Sequence, residues 1–95
     1  MKKPTLIPFS HAARREIFDL VLRGATYNPE QTLVLLALIT MAKWVNRKGD
    51  PVVEADEASI NDRAQLISDL IQERATAGRE PADSLLDVVM ARVSQ

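Results

Sequence analysis

Few residues in this chain have the chemistry for nucleophilic catalysis. A serine nucleophile needs a histidine and a carboxylate that hydrogen-bond in series with its hydroxyl. The chain has a single histidine, His11, which directly follows Ser10. Adjacent residues on a helix point in different directions, so this pair is not aligned for proton transfer. The sequence therefore predicts no catalytic residues and a protein that is not an enzyme.

The residues that could bind a metal ion are also poorly arranged. The chain has no cysteine, so a zinc site would depend on carboxylates beside one histidine. Asp69 with Glu73, and Asp83 with Asp87, are carboxylate pairs at the four-residue spacing that shares a helix face. No further ligands accompany either pair, and the acidic residues within 50–57 lack the alternating spacing of a calcium loop. We expect no metal site and no cofactor.

One short segment has the composition of a nucleic-acid contact. Lys43, Arg47 and Lys48 flank Trp44. Clustered cations beside an aromatic ring can bind phosphates and stack on a base. The same cations are also favourable at the C-terminal end of a helix, where they interact with the helix dipole. Both interpretations are open from the sequence.

Charge is unevenly divided along the chain. Residues 1–48 contain eight positive and three negative side chains. Residues 49–95 contain four positive and ten negative side chains. The whole chain has a net charge of -1. This balance argues against a strongly basic protein that coats nucleic acid. The two halves could attract each other within one chain or between chains. Arg14 and Arg15, in the basic half, are candidate phosphate contacts, with an exposed helix surface as the alternative.

Hydrophobic periodicity predicts an all-α fold. Of the 95 residues, 46% are hydrophobic and 26% are charged, which is typical of one globular domain. Val52-Val53 is too short to predict a strand. We expect a flexible tail over residues 1–8. Over residues 9–95 we expect a compact four-helix bundle, with helices at about 10–23, 29–48, 57–77 and 81–94.

The second predicted helix has the clearest boundaries. Asn28 and Pro29 have the residue types of an N-cap and a first helical position. Gly49, followed by Asp50 and Pro51, would end the helix. The helix would then contain about 20 residues and extend over roughly 30 Å.

This helix is apolar over about 240° of its circumference, whereas a surface helix usually has an apolar stripe of little more than about 100°. We therefore expect it to be the central, mostly buried helix, or to contact another chain with part of this arc. The rest of its circumference is a narrow stripe that includes two cations. Our candidate partner-binding residues are Leu36, Thr40, Lys43, Arg47 and Lys48.

The function that we expect is binding, without catalysis. A membrane span needs about 20 consecutive apolar residues, and no apolar segment of this chain is close to that length, so we expect no membrane partner. The absence of cysteine favours the cytoplasm. The size fits a small adaptor or inhibitor, of the kind that a mobile element encodes, which binds another protein or itself as a homodimer. The alternative is a nucleic-acid-binding regulator that uses the basic cluster after the second helix.

Overall fold

The computed structural model describes residues 5–24, 29–78 and 85–94. These residues form four helices and a small three-stranded sheet. The mostly helical class is confirmed, but the expectation of a purely helical fold is wrong. The elements are β1 (Ile7–Pro8), α1 (His11–Arg23), α2 (Pro29–Met41), β2 (Trp44–Val45), β3 (Pro51–Val52), α3 (Glu57–Thr76) and α4 (Leu85–Val93).

Two helices begin at side-chain caps. The hydroxyl of Ser10 accepts a hydrogen bond from the backbone N–H of Ala13 at 3.1 Å, at the start of α1. The carboxylate of Asp56 accepts one from the backbone N–H of Ser59 at 3.0 Å, at the start of α3. Each bond satisfies one N–H group that has no partner within the helix. The predicted N-cap Asn28, and residues 81–84 of the fourth predicted helix, lie outside the described residues.

The sheet joins three distant parts of the chain. β2 is the central strand and pairs antiparallel with both β1 and β3. Pro8 lies opposite Trp44, which in turn lies opposite Val52. The sheet thus includes residues assigned above to a flexible tail and to the second helix. Strands of two residues are too short for an alternating pattern to reveal them.

Helix α2 ends at Met41, seven residues before its predicted end at residue 48. The backbone then enters β2, turns over residues 46–50 and returns as β3. Gly49, expected to end the helix, instead lies in this turn with a φ of 85°, a conformation that favours glycine. Trp44 and Val45 are residue types that favour strands. They also fit the apolar periodicity of the predicted helix, so the sequence pattern did not predict the strand.

The core draws on every helix. Helix α2 contacts the three other helices and β3, so it lies centrally among the described elements. Its burial is incomplete, because Val34 and Leu35 are 37% and 39% exposed. The bundle arrangement stays a prediction. No helix in the described ranges is long and apolar enough to cross a membrane. The largest fully buried side chains are Phe18, Leu36, Ile39, Ile67, Leu85 and Val89.

Candidate functional site

Two of the predicted partner-binding residues are buried within the chain. Leu36 is fully buried and Thr40 is only 5% exposed. The Thr40 hydroxyl donates to the carbonyl oxygen of Ala37 at 2.8 Å and accepts from Nη1 of Arg63 at 2.9 Å. The prediction that Leu36 and Thr40 contact a partner is therefore wrong. Two physical causes explain the error. A buried threonine satisfies its hydroxyl group inside the chain. In addition, α2 ends at Met41, so the stripe predicted along this helix does not continue to Lys43 and Arg47.

The exposed face of α2 lies on the other side of the helix. Val34 and Leu35 are exposed and Leu38 is half-buried. These three residues, which we call the α2 strip, line a shallow groove together with Glu30 and Gln31. Sequence periodicity could not find this face, because α2 is apolar on almost every side and no polar stripe marks its outer surface.

Arg14, a predicted phosphate contact, has a structural role instead. Its Nη1 donates to the carbonyl oxygens of Ile39 at 2.5 Å and Ala42 at 2.7 Å, and its Nη2 donates to that of Phe9 at 3.4 Å. The guanidinium also lies over the Phe9 ring, 4.5 Å from the ring centroid. Partial burial lowers the pKa of Arg14. The side chain caps the C-terminal end of α2, which gives it a structural role, and its contact with phosphate stays a prediction.

Arg15 connects α1 to α4. Its Nη2 donates to both carboxylate oxygens of Asp87, at 3.0 and 3.1 Å, and lies 3.3 Å from Nε2 of His11. His11 itself lies 3.7 Å from the same carboxylate. All three side chains are exposed. The guanidinium of Arg15, a candidate phosphate contact, is thus paired with Asp87. At this point the basic and acidic halves pair within one chain.

The remaining candidate contact residues lie directly before the β2–β3 hairpin and in its turn. Lys43, Arg47 and Lys48 are exposed, and Trp44 is 44% exposed between them. We call these four residues the hairpin cluster. Within the described ranges, none of the three cations forms an ion pair. Two sequence-based expectations are wrong here: these cations do not end a helix, and Trp44, which falls within the predicted second helix, lies on a strand.

The turn that carries Arg47 and Lys48 is held by Asn46. Its side-chain oxygen accepts hydrogen bonds from the backbone N–H groups of Lys48 and Asp50, both at 2.9 Å. Backbone bonds also join Asn46 to Asp50 and Gly49. Bonds of this kind are how asparagine stabilises a tight turn. The two cations are therefore presented on a turn of defined geometry.

A groove lies beside the hairpin cluster. Its volume is about 240 Å³, and its surface is about equally polar and apolar, with one cation, Lys43, and one carboxylate, Glu54. Glu54 would repel a phosphate that entered this groove. The lining residues are Met41, Lys43, Trp44, Val52, Val53, Glu54 and Ala55.

The carboxylate pair Asp69 and Glu73 is not part of a metal site in the described part of the chain. No group of three or more histidine, aspartate or glutamate side chains in those ranges could hold an ion. Asp69 accepts a hydrogen bond from Nε2 of Gln65 at 2.9 Å, on the surface of α3. Asp83 lies outside the described residues, so its pairing with Asp87 stays a prediction.

Comparison of the chain with models of protein families, with curated proteins and with solved structures finds no match.

Proposed function

We propose that the chain is a small non-enzymatic module that binds another protein, and that it does so through the α2 strip. The observation that carries this proposal is the exposure of Val34 and Leu35, 37% and 39%, on the helix that otherwise forms the centre of the core. Exposed apolar residues with a polar rim are typical of interaction surfaces. Glu30 and Gln31 supply that rim at one end.

The energetics favour a partner of apolar character. Apolar surface removed from water contributes about 25 cal/mol per Å². The strip is also pre-formed on a helix, so its backbone loses little conformational freedom when a partner binds. Such a surface matches the apolar face of another helix or an apolar groove.

The test is a single substitution that makes the strip polar without disturbing the core. Leu35→Glu places a charge on an exposed helical position, where glutamate is compatible with the helix. The matched control is Leu20→Glu on α1, because Leu20 is an exposed leucine outside the strip, at 65% exposure. The tagged full chain and both variants would be used for capture from host lysate treated with nuclease.

We expect a stoichiometric protein with the wild type and with Leu20→Glu, and loss of that protein with Leu35→Glu. Circular dichroism should show the same helical content for all three. Equal capture by Leu35→Glu would contradict the proposal, and so would the absence of any protein partner, including the chain itself.

A second candidate function, nucleic-acid binding, is supported by the hairpin cluster. An exposed tryptophan beside three cations that form no ion pair with any described residue can stack on a base while the cations contact phosphates. The number of cations is small, so we expect binding to single strands to be weak and strongly dependent on salt.

Binding to a labelled single-stranded oligonucleotide, followed by fluorescence anisotropy, tests this second function. Lys43→Ala/Arg47→Ala should weaken binding and reduce the slope of log affinity against log salt by about 1 to 2. The control Arg23→Ala/Arg92→Ala removes two exposed cations outside the cluster and should leave binding unchanged. Quenching of Trp44 should accompany binding, and unchanged affinity in the Lys43/Arg47 variant would exclude the hairpin as the site.

A further inference from the structure

We propose that the groove beside the hairpin cluster binds a single guanine base, with Trp44 stacked on the ring and Glu54 accepting hydrogen bonds from its Watson–Crick edge. The inference rests on the second candidate function, nucleic-acid binding through the hairpin cluster. It adds the base that is preferred, and it assigns that preference to Glu54, which lies outside the cluster.

Three chemically different side chains line this groove. Trp44 offers an indole ring and is 44% exposed. Lys43 is a cation and Glu54 a carboxylate, and both residues are exposed. Val52 lies opposite Trp44, and directly opposite residues of an antiparallel pair have their side chains on the same face of the sheet. Glu54 follows two residues after Val52, so the strand pairing holds its backbone near that of Trp44.

The charges assign the base to the groove and the phosphates to the turn. A phosphate in the groove would be repelled by Glu54, whereas Arg47 and Lys48, in the turn, form no ion pair with any described residue. Arg47 follows Trp44 by three residues, which is at most roughly 10 Å of extended chain. A strand whose base stacks on Trp44 can therefore reach this cation with a neighbouring phosphate.

The size of the groove also fits a single base. Its volume of about 240 Å³ is below the range of about 300–1,000 Å³ that is typical of sites enclosing a whole drug-sized ligand. One ring system would fill the groove, and the sugar and phosphates would remain outside it.

The carboxylate of Glu54 selects among the bases. An ionised carboxylate only accepts hydrogen bonds, through two oxygens that lie side by side. Guanine alone has two adjacent donors on its Watson–Crick edge, N1–H and the N2 amino group. Adenine and cytosine have one amino donor beside a ring nitrogen that is an acceptor, and the single donor of uracil lies between two carbonyl oxygens. Guanine also has O6 next to N1, and this oxygen can accept from the ammonium group of Lys43.

Both charged side chains are available to a ligand. Glu54 and Lys43 form no ion pair and no side-chain hydrogen bond with any residue in the described ranges. By contrast, Asp56, two residues after Glu54, accepts a hydrogen bond from the backbone of Ser59 as the cap of α3. Of these two neighbouring carboxylates, Glu54 is therefore the one whose oxygens can accept from a base.

The test measures base preference within one strand. An oligouridine of about ten residues would be prepared with guanosine, inosine, adenosine or uridine at its centre. The guanosine strand should bind about tenfold tighter than the adenosine strand, which controls for the stacking of a purine. Inosine differs from guanosine only in lacking the N2 amino group, so its strand should lose most of this preference. The chain contains one tryptophan, so fluorescence quenching reports stacking on Trp44 directly.

A substitution of Glu54 tests the assigned residue. Glu54→Gln replaces one acceptor with a donor, so it should reduce the preference for guanosine over adenosine to about twofold or less. The matched control is Glu57→Gln, which neutralises an exposed carboxylate in the first turn of α3, outside the groove. This control should keep the full preference. Circular dichroism should show the same helical content for the wild type and both variants.

A guanine within a strand and a free guanine nucleotide offer the same edge to Glu54. Titration with guanosine monophosphate, followed by Trp44 quenching, distinguishes these two sources. If the strand is the ligand, it should bind about tenfold tighter than the nucleotide at low salt, because the turn cations contact neighbouring phosphates, and raised salt should remove this advantage. Equal affinities would assign the free nucleotide as the ligand.

The outcomes separate this inference from the second candidate function. Equal binding of the guanosine and adenosine strands overturns the inference, and the second function survives if Lys43→Ala/Arg47→Ala weakens both strands. A preference that Glu54→Gln retains overturns the role of Glu54. Preference for guanosine over adenosine monophosphate, with no strand bound, supports the base site and overturns the second function. Absence of Trp44 quenching by every strand and nucleotide overturns both.

Discussion

Nη1 of Arg14, in α1, lies 2.5 Å from the carbonyl oxygen of Ile39, near the end of α2. The same nitrogen also donates to Ala42 at 2.7 Å. The last carbonyl groups of a helix have no partner within it. An arginine from a neighbouring helix satisfies them here, at the point where the chain leaves α2 for the sheet.

We predict that Arg14→Met destabilises the fold by about 2–3 kcal/mol. The substitution keeps much of the aliphatic stem but removes charged hydrogen bonds to buried carbonyl groups. Urea denaturation followed by circular dichroism would measure the change. The neighbouring Arg15→Met is the control, because it breaks an exposed ion pair with Asp87, whose loss we expect to cost less than about 1 kcal/mol. Equal effects of the two substitutions would contradict the capping role of Arg14.

The two leucines Leu36 and Leu38 should respond differently to truncation. Leu36 is fully buried, so Leu36→Ala should lower the free energy of unfolding by about 2–4 kcal/mol. Leu38 is half-buried on the α2 strip, so Leu38→Ala should cost only about 1 kcal/mol in the monomer. Thermal and urea unfolding at low protein concentration check both values. A larger loss from Leu38→Ala than from Leu36→Ala would reverse our assignment of the inner face of α2.

The contact between Thr40 and Arg63 gives a third prediction. Thr40→Val removes the hydroxyl that accepts from Arg63 at 2.9 Å. Partial burial already lowers the pKa of Arg63, and its guanidinium would lose an acceptor. We expect a loss of about 1–3 kcal/mol in the free energy of unfolding. Thr32→Val is the matched control on the same helix, and it should change stability by less than about 0.5 kcal/mol.

Asp56 gives a prediction about pH. Hydrogen bonds from the side chain and the backbone of Ser59 lower the pKa of Asp56 in the folded chain. A carboxyl group with a depressed folded pKa stabilises the fold above its unfolded value of about 3.9, and this contribution is lost as the pH falls through the folded value. Asp56→Ala should therefore flatten the fall in stability below about pH 4. Asp56→Asn should flatten it too while retaining a neutral cap, and an unchanged acid profile in both variants would contradict the prediction.

Much of the helical fold could be predicted from local patterns in the sequence. Ser10 and Asp56 have residue types that cap helices, and both cap one. The sheet could not be predicted in the same way, because Ile7 and Pro8 pair with residues far along the chain and no local pattern reports that contact. The hairpin could not be predicted either, because Trp44 and Val45 fit the helical periodicity as well as they fit a strand.

Local sequence patterns also predicted some features of the candidate surfaces and not others. The exposure of Lys43, Arg47 and Lys48 agrees with their charge, but their support is a strand and a turn, not a helix. The burial of Leu36 and the exposure of Leu35 could not be separated by residue type, because both are leucines one position apart. Only the packing of α2 against its neighbours decides which of the two faces water.

The short strand β1 has a consequence for how the protein behaves when it is shortened. β1 covers one edge of β2, and the backbone N–H of Phe9 donates to the carbonyl oxygen of Lys43 at 3.0 Å. Removing residues 5–8 would leave the backbone of β2 as an open edge, which is a template for association with other strands. We therefore expect a chain cut before Phe9 to associate more readily than the intact chain, even with its helices unchanged.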